Sequence, residues 1–83
     1  MKNSTMLEIT TEIVSSQPGK SFTFNQIFSK VEEQLKDNWF KYVQGSNTLT
    51  YDQVRETKMG ELHRLLTVDK RFHRNLDGTW KAA

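Results

Sequence analysis

The chain has 83 residues, a net charge of +2 and no cysteine, which allows one small domain and excludes a disulfide framework or a thiolate metal site. Leu, Ile, Val and Phe supply 20 of the 83 residues, above the roughly 20 % floor below which chains stay disordered. No apolar run approaches the roughly 18 residues of a membrane span, and the polar start Met1-Lys2-Asn3-Ser4-Thr5 does not read as a signal peptide. A single monomeric, cytoplasmic domain over residues 1–83 is expected, too small for a self-contained enzyme.

The first periodic segment covers residues 6–17. Thr5 and Glu8 have capping-box spacing, and Met6, Leu7, Ile9, Ile13 and Val14 share one arc of the helix. Pro18-Gly19 ends it. Ser21-Phe22-Thr23-Phe24 alternates briefly and reads as a short strand or extended entry. Thr23 and Gln26 repeat the capping spacing. From there Phe24, Ile27, Phe28, Val31 and Leu35 trace a buried helical stripe, with Glu32 and Lys36 as an i, i+4 ion pair on the outer face. Trp39 and Tyr42 carry the rhythm on to about Val43, against the competing stop Asp37-Asn38. Gln44-Gly45-Ser46-Asn47 then breaks the helix. Trp39, Phe40, Tyr42 and Val43 are too many apolar neighbours for one face, so they divide between core and a docking patch.

A third helix is predicted over residues 50–67, capped by Thr50, with Tyr51, Met59, Leu62, Leu65 and Leu66 on one side. Gly60 costs it about 1 kcal/mol relative to alanine and marks a close approach to a partner or nothing at all. The period then changes. Residues 71–76 alternate, Asp77-Gly78 reads as a two-residue hairpin turn, and residues 79–81 alternate again. A regular register puts Phe72 and Trp80 on one face. Such rings can stack on bases, but a domain this small needs them in its core. The expected core is Ile13, Phe24, Ile27, Phe28, Val31, Leu62, Leu65, Leu66, Phe72 and Trp80. The resulting fold class is α+β: three helices with a small antiparallel sheet of the short strand plus the C-terminal hairpin, in the order of a winged helix-turn-helix.

The charge is uneven. Residues 1–54 hold five Lys/Arg against six Asp/Glu, and residues 55–83 hold seven against four. The excess gathers at Lys70, Arg71, Arg74 and Lys81, the expected contacts to phosphates or an acidic partner, with Phe40 as the expected apolar contact. The third helix carries two carboxylates, Glu56 and Glu61, against one arginine, Arg64, on its outer side, a poor match to a phosphate backbone. His63 and His73 have no metal-ligand spacing, and no glycine pattern cradles phosphate. No catalytic residue, cofactor or metal is expected.

Phe24-Asn25-Gln26-Ile27, Leu62-His63-Arg64-Leu65-Leu66, Asp69-Lys70-Arg71-Phe72 and Asp77-Gly78-Thr79-Trp80, in that order, resemble the HARE-type winged helix. Within that group the chain is most similar to the N-terminal domain of bacterial RNA polymerase delta subunits. The resemblance spans residues 6–81, and its sharpest piece is Asp69, Arg71, Phe72, Gly78 and Trp80. It implies a non-catalytic accessory domain that docks on core RNA polymerase and modulates transcription and recycling. The alternative is an independent winged-helix DNA-binding regulator that uses a basic wing; under the docking reading, only weak non-specific nucleic-acid binding at low salt is expected. Two features depart from the family. Residues 37–49 are longer and more aromatic, and these 83 residues do not include the acidic tail of delta subunits, as expected of an excised domain or a tailless relative.

Overall fold

The computed structural model describes residues 5–83, so most of the polar start, residues 1–4, lies outside the described residues. Three helices, α1 (Met6–Ser16), α2 (Phe24–Gln44) and α3 (Tyr51–Val68), precede two strands, β1 (Phe72–Arg74) and β2 (Trp80–Ala82). This is an α+β arrangement with a two-stranded antiparallel sheet.

Each helix starts on a threonine. Thr5, Thr23 and Thr50 accept at their hydroxyls from the backbone N–H of Glu8, Gln26 and Gln53, at 3.1, 3.1 and 3.3 Å. The third-residue side chains accept in return from the threonine N–H groups, so all three are complete capping boxes. Gln53 completes the third box at the same three-residue spacing.

Gly19 adopts φ +84° where the chain leaves α1, a left-handed conformation that glycine takes without steric cost. The segment after it is less than a strand. Phe22 alone pairs with Trp80, through two backbone hydrogen bonds of 2.7 and 2.8 Å, and Phe24 already belongs to α2. The second helix runs its full predicted length through Asp37-Asn38 to Gln44. The Gly45 N–H then donates to the Lys41 carbonyl and the Ser46 N–H to the Val43 carbonyl, which closes it. Among the described residues Glu32 and Lys36 form no ion pair, since Glu32 turns inward to α3 instead.

The core joins Ile9, Ile13 and Val14 of α1 to Ile27, Phe28, Val31 and Trp39 of α2, Val54, Leu62 and Leu66 of α3, and Phe22, Phe72 and Trp80. Two expected core members, Phe24 and Leu65, are only half-buried. Phe24 is the first residue of its helix, at the rim, where its ring stacks on Phe28 at 6.1 Å. The buried Thr10 is hydrogen-bonded, its hydroxyl donating to the Met6 carbonyl at 2.7 Å. Gly60 faces open space, and a β-carbon there would meet nothing within 4 Å. It marks no close approach within the fold.

In the hairpin Phe72 pairs with Ala82, His73 with Lys81, and Arg74 with Trp80. Alternation puts Phe72, Arg74, Trp80 and Ala82 on one face and His73 and Lys81 on the other. The turn is longer than the two residues expected. Asn75 donates to the Thr79 carbonyl at 2.8 Å and Gly78 to the Asn75 carbonyl at 3.0 Å, so Leu76, Asp77 and Gly78 form a three-residue loop. Gly78 at φ +87° supplies the left-handed residue that such a loop requires.

Candidate functional site

Two surfaces answer to the contacts expected from sequence: the hairpin with its cations, and the aromatic end of α2. The register divides the cations. Arg74 lies on the Trp80 face, with its guanidinium 5.9 Å from the indole centroid, while half-buried Lys81 lies on the opposite face beside His73. Arg71 is engaged locally. Its Nε and Nη2 donate to the two Asp69 oxygens at 3.0 and 2.8 Å, and its backbone N–H donates to Oδ1 at 2.9 Å. The Arg71 side chain and then its backbone N–H hold the Asp69 carboxyl down at about 2, and Asp69 in turn raises the Arg71 guanidinium. Lys70 is exposed and forms no ion pair among the described residues. The four cations therefore do not converge on one face.

At the end of α2, Trp39 is buried but its neighbours are not. Phe40 is 39 % exposed, Tyr42 64 % and Leu49 44 %. One face of Phe40 is already covered, its ring stacking on Tyr51 with centroids 4.5 Å apart. Tyr42 and Leu49, with Val54, Thr57 and Lys58, line an open hollow of about 330 Å³. The Lys58 ammonium lies 5.9 Å from the Tyr42 ring and 3.3 Å from Glu61.

Beside the aromatic end of α2 is a polar cluster that the Glu32–Lys36 spacing does not disclose. Glu32 Oε2 accepts from the Tyr51 hydroxyl at 2.6 Å and from Arg55 Nε at 3.0 Å, tying α2 to α3. The Arg55 guanidinium also covers the Phe28 ring at 5.0 Å. The available signal was spacing: Glu32 lies four residues after Phe28, at the edge of the buried stripe. Loss of water around the Tyr51 phenol, then its bond to Glu32, pushes its pKa from 10.0 up to about 12.

The folded state thus holds the Tyr51 proton more tightly than the unfolded chain does. The stability this contributes is whole below about pH 10 and is lost as pH rises through about 12. Thermal melts of the protein and its Tyr51→Phe variant across that range check the sign. The difference between them should shrink with rising pH, and a constant gap would refute the coupling.

The exposed side of α3 carries Asp52, Glu56 and Glu61, against Arg64 and His63. Among the described residues no group of three or more His, Asp or Glu is placed to hold a metal ion, and no helix is long and apolar enough to cross a membrane. No known protein family, characterised protein or solved structure matches this chain.

Proposed function

We propose that the chain is a non-catalytic docking module of winged-helix type that seats on core RNA polymerase and modulates transcription, working in the bacterial cytoplasm without a cofactor. In this reading the hairpin is the wing and the Phe22–Trp80 bridge stands in for the third strand. Each residue of the sharpest motif has work that fits the reading. Asp69 organises the turn before β1 through Arg71, Gly78 supplies the left-handed turn residue, and Phe72 and Trp80 anchor the hairpin to the helices. The identity of the partner rests on that motif and its spacing.

The observation that carries a protein partner over DNA is the acidic character of the exposed α3 face. A helix that enters a major groove must neutralise phosphates, and exposed Asp52 and Glu56 oppose that, while Lys58 is already paired with Glu61. A DNA-binding reading is favoured by one feature, the cationic hairpin with exposed Lys70 and Arg74.

Retention on immobilised core polymerase and titration against duplex DNA, both at low and physiological salt, separate the two. Polymerase retention should persist at physiological salt. DNA binding should be weak, indifferent to sequence and lost as salt rises, because counterion release no longer favours it. Sub-micromolar, sequence-discriminating DNA binding at physiological salt would replace this reading with the second one.

A further inference from the structure

The hairpin turn presents one large apolar side chain wholly to solvent. Leu76 is fully exposed, more than any other large hydrophobic among the described residues. Exposure alone means little for a single leucine. What distinguishes this one is how firmly its turn is held. Besides the two backbone bonds that close the loop, Asn75 Nδ2 donates to the Ser21 hydroxyl at 2.6 Å and to Thr79 Oγ1 at 3.0 Å. Asp77 Oδ1 accepts from the Thr79 N–H at 3.0 Å and from the Thr79 hydroxyl at 2.6 Å. The tip is therefore pinned both within the hairpin and to the segment leading into α2. The backbone that presents Leu76 is thus already ordered, and on binding only the side chain's own rotamers remain to be fixed.

The surroundings of the tip are cationic. Arg74 runs along the turn, its Nη2 3.8 Å from where a β-carbon at Gly78 would stand. Lys20 lies over the Phe22 ring at 5.4 Å, and Phe22 pairs with Trp80 of the hairpin. Asp77, beside Leu76, keeps its negative charge, since its bonds from Thr79 hold the carboxyl below its usual range, so Arg74 and Lys20 stand there against one carboxylate.

From this we infer that Leu76 is the apolar anchor of the docking interface, inserting into an apolar pocket of a partner protein whose rim carries carboxylates. The inference rests on the docking reading above. It moves the anchor from Phe40, whose ring is already stacked, to the hairpin tip, where apolar and cationic groups are contiguous. Carboxylates on the exposed α3 face disfavour a nucleic-acid occupant. The cations steer encounter and the buried leucine holds the complex.

The test is binding kinetics of the full chain on immobilised core RNA polymerase, with Leu76→Ala, Leu76→Met, Leu76→Asp and Phe40→Ala, each melted in parallel. Leu76 touches no core residue, so all three of its variants should melt like the parent. Leu76→Ala should dissociate about tenfold faster or more, Leu76→Met should retain most binding, and Leu76→Asp, facing carboxylates, should bind least. Polymerase binding by the parent with no change in Leu76→Ala would overturn the anchor and leave docking intact. No binding by the parent would remove docking and anchor together. Loss of duplex-DNA affinity in Leu76→Ala, with polymerase binding unchanged, would assign the tip to nucleic acid and refute the protein pocket.

Discussion

Trp80→Ala should destabilise the domain by about 3–5 kcal/mol, the range for emptying a core aromatic site. Trp80 is 4 % exposed and joins three parts of the molecule. Its ring enters the core with Phe72 and Ile13, its backbone exchanges two hydrogen bonds with Phe22, and its cross-strand neighbour is Arg74. Small domains sit at the low end of the usual 5–15 kcal/mol of total stability, so this loss leaves little margin. Urea unfolding should show the midpoint collapse, and Trp80→Phe, which refills most of the cavity, should recover much of it. A loss under about 1 kcal/mol for the alanine variant would mean that the indole is not a core group.

What the sequence discloses depends on how far away the deciding partner lies. The helix starts are legible because a capping box is closed within four residues, as at Thr5–Glu8 and Thr23–Gln26. The buried stripes of α1 and α2 are legible for the same reason, since periodicity is a local property. The sequence does not distinguish a two-residue from a three-residue turn, because Gly78 satisfies either length. Among the bonds that hold the longer loop is that of Asn75 to Ser21, 54 residues away in the chain. Glu32 is ambiguous in the same way. Lys36 is its local partner by spacing, but Tyr51 and Arg55 lie 19 and 23 residues downstream, and a bond at the half-buried edge of α3 displaces an exposed pair worth a few tenths of a kcal/mol.

The candidate site was legible in composition and not in arrangement. Lys70, Arg71, Arg74 and Lys81 are near neighbours in the chain, but strand alternation separates Arg74 from Lys81, and Asp69 engages Arg71. Part of this was readable in advance. If Phe72 and Trp80 share a face, then Arg74 shares it and Lys81 does not. Leu76, by contrast, is visible only once the loop length is known. In a two-residue Asp77-Gly78 turn it would belong to a strand, and in the three-residue loop it stands at the tip.

Trp39→Ala should also cost about 3–5 kcal/mol, with a different pattern of damage. Asp37 and Asn38 are weak helix formers, so α2 continues through them only because tertiary packing favours it. That packing centres on Trp39, 2 % exposed, with its ring 5.8 Å from Phe28 and 6.5 Å from Tyr51. Beyond it the helix is held chiefly by the Phe40–Tyr51 stack and by Val43, both at the rim. Emptying the Trp39 site should let residues 37–44 fray while α1 and the hairpin keep their structure, because neither ring that Trp39 stacks against belongs to them. Hydrogen exchange should therefore show protection lost first at Phe40 to Gln44, with the Phe22 and Trp80 amides, which pair with each other, still protected in the folded fraction. The fraying would also dissolve the hollow lined by Tyr42 and Leu49, and leave Leu76 where it is. Under the docking proposal, polymerase binding measured on this variant below its melting point would then depend on the hairpin alone. Unchanged protection across residues 39–44, with stability within about 1 kcal/mol of the parent, would show that local propensity and not Trp39 holds the end of the helix.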